Sequence, residues 1–157
     1  MREASGTGEG NGPMISFHDG FESLTNWAAF LPNADRISMD THPYFAFSGQ
    51  STNPISSYAP LACSVWGPMM NNSMGAMGFT AAGEFSMATN DCGLYVNGVG
   101  LGTRYEGTFQ GGPTTATGSC AQWDKWEAYS ADTKDQLKQF VSASMDALQN
   151  WFFWTWK

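Results

Sequence analysis

Glu84 closes the run GFTAAGE, in which three small residues, Ala81, Ala82 and Gly83, lead into a single carboxylate in a chain that is only 13% charged. A glutamate so placed is either a solvated turn residue or a functional acid, able to attack an electrophilic carbon or to move a proton. Neither Lys nor Arg stands within several residues to pair with it locally. His42 and Tyr44 lie two apart, so an extended backbone points both side chains the same way. Together they could donate hydrogen bonds to a carboxylate or to a sugar hydroxyl, or His42 could be a structural histidine. His18 directly precedes Asp19, and that pair reads as structural, tied to backbone at a strand end. Two histidines among scattered carboxylates show none of the spacing a zinc site needs, so neither a metal nor another cofactor is expected. Asn71, Asn72 and Ser73 form a glycosylation sequon if the protein is secreted.

These residues need elements to hold them. MISFHD reads as a strand, GFESLTNWAAFL carries apolar residues at helical spacing, and ADRISMDTHPYF alternates as a strand until Pro43. LACSVWGPMM suggests a short helix followed by a Met-rich connection through Asn72 and Met77. GFTAAGEF is a third strand ending at Glu84, and MATNDCGLYVNGV a helix closed by Gly98 and Gly100. A glycine-rich loop follows as far as Cys120; a disulfide between Cys92 and Cys120 would close most of it. The clearest helix comes next. Thr133 and Gln136 fit a capping box, and Leu137, Phe140, Val141, Met145 and Leu148 make one apolar stripe. WFFWTWK is a fourth strand, aromatic on both faces, and both faces are expected to be covered. Alternating strand and helix imply a parallel α/β organisation. The candidate residues His18 and Asp19, His42 and Tyr44, Glu84, and Trp154 to Trp156 then all fall at the carboxyl ends of strands, where (β/α) barrels place function.

Composition excludes several classes. Fourteen acidic against seven basic residues give a net charge of −7, which repels a phosphate backbone and argues against a nucleic-acid partner. No run approaches the roughly 20 apolar residues of a membrane span, and MREASGTGEGNGP lacks the apolar segment of a signal peptide. The glycines of that lead-in loop, residues 1–13, precede a strand instead of following one, which speaks against a phosphate loop. With three cysteines, Cys63, Cys92 and Cys120, at least one thiol lacks an internal partner. An aromatic share of 15% with little charge suits a protein acting on neutral polysaccharide, whose sugar faces stack on flat rings.

ISFHDGF, DTHPYFAF, AGEFSMATNDCGLYVNGVGLGTRYEG, GSC and WFFWTWK together resemble, in order and spacing, the second half of the fungal exo-1,3-β-glucanases of glycoside hydrolase family 5. The resemblance implies a single half-barrel unit over residues 1–157, strands five to eight of a (β/α)8 barrel with their helices. It implies a β-1,3-glucan or oligosaccharide substrate and an extracellular location, although this chain shows no signal peptide. Residue by residue, Glu84 matches the family's nucleophile, and His42 and Tyr44 match the His-x-Tyr that flanks it. Trp154 resembles the tryptophan beneath the sugar at the cleavage site, and Phe21 and Phe47 fall where the family has aromatics near the acceptor subsite. Two departures stand out. Gly83-Glu84-Phe85 replaces the usual Gly-Glu-Trp, and nothing matches the Asn-Glu-Pro that carries the acid/base. The expectation is a chain with the nucleophile but without its partner acid, weak or inactive alone. A glucan-binding module, or a truncated product with no separate role, are the alternatives. A homodimer or a complementary half-barrel would close the sheet and cover its edges.

Overall fold

Four short strands, Ile15–His18 (β1), Ile37–Thr41 (β2), Thr80–Phe85 (β3) and Trp151–Phe153 (β4), lie side by side in chain order, and each neighbouring pair is parallel. The computed structural model describes residues 9–32, 34–47 and 49–155. Parallel neighbours cannot be joined by a tight turn, so each strand must be followed by a crossover. The helix Tyr58–Met77 (α1) supplies the one between β2 and β3, and the helix Ala131–Leu148 (α2) completes the long return from β3 to β4. All four strands fall within the segments MISFHD, ADRISMDTHPYF, GFTAAGEF and WFFWTWK that the sequence marks, and the α/β class follows.

The chain divides into two compact units. The described residues of Met1–Pro43, Ala62–Phe85 and Ser144–Lys157 form the first, which contains the whole sheet; Tyr44–Leu61 and Ser86–Ala143 form the second. In the first unit, the carboxyl half of α1 is tied to β3 and to the turn before β4. Ser73 shares a buried 2.8 Å hydrogen bond with Thr80, and the Asn150 side chain donates to the Thr80 carbonyl at 3.1 Å. Phe85, fully buried, meets Trp151 and Phe153 edge-on across β3 and β4, with ring centroids 5.6 and 5.4 Å apart. In the second unit, Cys92 and Cys120 form a disulfide and are buried with Tyr105, with Trp123 packed against them. Cys63 is free and exposed.

Several local expectations are corrected. GFESLTNWAAFL makes a single 3-10 turn, Leu24–Trp27, in which only Leu24 is buried. Phe21 and Leu31 flank it with φ of 61° and 50°, a left-handed backbone that no α-helix can include. The short helix expected over LACSVWGPMM is a 20-residue helix that runs through Pro68. Proline costs a helix an intrachain hydrogen bond, but Tyr58, Ala62, Trp66, Met70 and Ser73 are all buried, a stripe at helical spacing that outweighs it. Because the sequon Asn71-Asn72-Ser73 lies within this helix, its Ser73 hydroxyl is already engaged.

MATNDCGLYVNGV is not a helix but a series of turns. Its apolar residues Leu94 and Val99 are over 80% exposed, whereas Asn90 and Asp91 are buried, the reverse of an amphipathic stripe. The clear helix is confirmed, yet its cap is Ser130: that hydroxyl accepts from the Thr133 amide at 3.0 Å, and Gln136 bonds to Asp132 instead. β4 is only three residues long and Phe152 is 68% exposed, so one face is not covered. Of the glycine-rich lead-in, residues 1–8 lie outside the described residues, as does Trp156.

Candidate functional site

The carboxyl ends of β1, β2 and β3 bring five titratable side chains, His18, Asp19, Asp40, His42 and Glu84, together in the first unit. Strict alternation along β3 would give Ala82 and Glu84 the same face, but the pairing with β4 shifts register between Ala82 and Phe85. A bulge of this kind re-aims side chains near a strand end. Ala82 and Phe85 are both fully buried, while the Glu84 side chain stays about a third exposed. His42, just past β2, stands with Nδ1 3.6 Å from Glu84 Oε2 and Nε2 3.4 Å from Asp40 Oδ2. One imidazole thus faces two carboxylates, and its protonated form can serve both.

Beside His42, the His18 ring stands edge-on with centroids 4.5 Å apart. Its own Nδ1 accepts the Gly20 amide at 2.9 Å, so a neutral His18 carries its proton on Nε2. Asp19 is buried and fully engaged, accepting from the Thr41 hydroxyl at 2.6 Å and the Phe21 amide at 2.8 Å. Those bonds support the structural reading of the His18–Asp19 pair. They also hold Phe21 in its left-handed conformation, 79% exposed, with its ring 4.8 Å from His18 and 6.3 Å from His42.

The remaining candidates are placed as follows. Trp154, 60% exposed, follows β4, and its amide donates to the Phe85 carbonyl at 2.9 Å, beside Glu84 in sequence. Tyr44 and Phe47 belong to the second unit and contact each other with ring centroids 5.5 Å apart. His42 and Tyr44 sit beyond the end of β2, where strand alternation no longer governs direction. Cys92 and Cys120 are bonded, as read from the sequence.

Asp40 was not singled out in the sequence. One of its oxygens, Oδ1, is buried with no hydrogen-bond partner among the described residues. A Cβ placed on Gly83 would lie 2.0 Å from that oxygen. The available signal was its position near the end of β2, two residues before His42. Among the described residues no group of three His, Cys, Asp or Glu could hold a metal ion, and no helix is long and apolar enough to cross a membrane.

No family model matches the chain. Among curated relatives, the probable glucan 1,3-beta-glucosidase D of Aspergillus clavatus is 40% identical over 91% of this chain. The protein of the same name from Aspergillus fumigatus is 39% identical over 91%, and glucan 1,3-beta-glucosidase D of Emericella nidulans 37% over 90%. In each case the match covers 19% of the relative, so the chain spans about a fifth of the length of the curated relatives it matches. Across nine-tenths of its own length, the chain is therefore related to a segment of the fungal glucan 1,3-beta-glucosidase D proteins, the group that its motifs resemble.

Proposed function

We propose that this chain is the nucleophile-bearing segment of a retaining glycoside hydrolase that acts on β-1,3-glucan, strands five to eight of a (β/α)8 barrel, with Glu84 as the attacking carboxylate. The observation that carries the reading is the contact of Glu84 with His42 at the carboxyl end of β3, in a chain similar to proteins named glucan 1,3-beta-glucosidase. A Glu84 oxygen would attack the anomeric carbon while the glycosidic oxygen departs, leaving a glycosyl ester for water to cleave. His42 orients the carboxylate, and the family resemblance assigns Tyr44 to the same task. Trp154 offers a flat face to the sugar, with Phe21 toward the acceptor, a part that the family resemblance also gives to Phe47. Retention requires a second carboxyl about 5–5.5 Å from the first to protonate the leaving oxygen, and general acid help of this kind is worth about 10²–10⁴-fold. The sequence offers no match to that acid, so glucan hydrolysis by the chain alone is negligible until a complementary half supplies it. The resemblance also favours an extracellular setting.

An activated substrate isolates the role of Glu84. The dinitrophenyl 2-deoxy-2-fluoro-β-glucoside has a leaving group that departs as a phenolate without protonation, and its glycosyl ester is slow to hydrolyse. Intact and peptide mass spectrometry should find one glycosyl adduct on Glu84 in the folded chain and none in Glu84→Gln. A folded wild-type chain that forms no adduct, or an adduct elsewhere, would overturn the assignment. A second reading, a glucan-binding surface without turnover, is favoured by the exposure of Phe21 and Trp154. Laminari-oligosaccharide binding that survives Glu84→Gln but is lost in Trp154→Ala, with no adduct, would select it.

A further inference from the structure

We propose that Asp40 is a positioning residue for the His42–Glu84 pair, fixing which imidazole nitrogen carries the proton and hence what Glu84 faces. Its catalytic meaning rests on the reading of Glu84 above. Neutral imidazole has one N–H and one bare nitrogen, yet both His42 nitrogens face carboxylates, Nε2 toward Asp40 at 3.4 Å and Nδ1 toward Glu84 at 3.6 Å. The two anions compete for a single proton. Asp40 holds the advantage through distance and through environment: its Oδ1 is buried with no hydrogen-bond partner among the described residues, which leaves Oδ2, 3.4 Å from His42 Nε2, as the oxygen that faces the imidazole. A buried carboxylate oxygen without a partner is costly, and sequence accommodates it by leaving position 83 without a side chain, since a Cβ there would stand 2.0 Å from Oδ1.

The consequence is directional. Neutral His42 keeps its proton on Nε2, toward Asp40, and presents bare Nδ1 to Glu84. Protonated His42 adds an N–H aimed at Glu84 and stabilises its anion. Asp40 thereby decides that the nitrogen facing the proposed nucleophile in neutral His42 is the bare one. Among the described residues, this ring is also faced by the His18 imidazole, edge-on from β1 with Asp19 3.5 Å from its Nδ1, and by the Phe21 ring.

Long-range proton–nitrogen spectra of the imidazoles in the ¹⁵N-labelled chain read the tautomer directly, and the chain has two histidines. Neutral His42 is expected as the Nε2–H tautomer in the wild type and in Glu84→Gln. In Asp40→Asn the proton should move mainly to Nδ1, because a charged acceptor binds it about twice as strongly as a neutral amide. His18 should keep its Nε2–H tautomer throughout and serve as the internal reference. Gly83→Ala, which displaces the Asp40 carboxylate without removing its charge, should move His42 in the same direction. Wild-type His42 with its neutral proton on Nδ1 would overturn the proposal without any variant, as would a folded Asp40→Asn or Gly83→Ala that leaves it on Nε2. Failure of the glycosyl adduct with the tautomer shift intact would remove the nucleophile assignment and leave Asp40 as the residue that positions His42.

Discussion

Gly83 and Asp40 interlock: the carboxylate of Asp40 on β2 occupies the space that a side chain at position 83 of β3 would need, with Oδ1 2.0 Å from the site of a Cβ. The glycine before Glu84 is therefore required by its neighbour's carboxylate. Gly83→Ala should destabilise the chain by about 1–3 kcal/mol, the usual cost of overpacking. Combining it with Asp40→Ala should recover much of that loss, because the clashing atoms are gone. Denaturant unfolding of the two single variants and the double variant measures the coupling; equal stability of Gly83→Ala and wild type would refute the interlock.

In the second unit, fully buried Asp91 organises the turns of MATNDCGLYVNGV. Its carboxylate accepts the Arg104 amide at 2.7 Å, the Tyr105 amide at 3.0 Å and the Asn97 side chain at 2.8 Å. Asp91→Ala would leave one buried and one part-buried amide unpaired, at a cost of about 2 kcal/mol. Amide exchange at Arg104 and Tyr105 should accelerate in parallel. Unchanged protection there would mean that the loop holds its shape by other means.

The Cys92–Cys120 disulfide joins residues 28 apart. Loop-closure entropy for a ring of that size suggests a loss of about 3–4 kcal/mol when it is removed. Thermal unfolding of Cys92→Ser with Cys120→Ser should show it, whereas Cys63→Ser, at an exposed free thiol, should change little. A larger effect from Cys63 than from the pair would be inconsistent with this assignment.

Burial raises the Tyr58 phenol above its ordinary value of 10.0, and Tyr105 adds to the shift. Tyr129 is also raised, by burial and then by Asp124. With each folded value above the unfolded one, the folded chain binds more protons in that window. Stability is therefore full below about pH 10 and falls as pH rises through the folded values. Replacing both tyrosines with phenylalanine should flatten the alkaline decline in unfolding free energy, even though Tyr58 loses its 3.4 Å bond to the Thr89 carbonyl. An identical slope would exclude these two groups as its source.

The four strands and their parallel order, the apolar stripe of α2 and the disulfide pair were legible because each depends on short-range pattern: two-residue alternation, helical spacing, and a pair of cysteines around a glycine-rich loop. Glu84 and His42 were legible as chemistry-bearing types at strand ends. What escaped depended on partners distant in the chain. Helix α1 runs through Pro68 because a buried stripe outweighs one lost hydrogen bond, and residues 87–99 turn because Asp91 binds amides beyond them. The register shift that separates Ala82 from Phe85 exists only in the pairing with β4. Asp40 acquires its meaning from Gly83 on the next strand, a relation that no spacing along the chain expresses. Residue types and local periodicity determined which groups are available for chemistry; the packing of β2 against β3 decided which of them meet, because contact geometry belongs to neighbouring strands and not to either sequence alone.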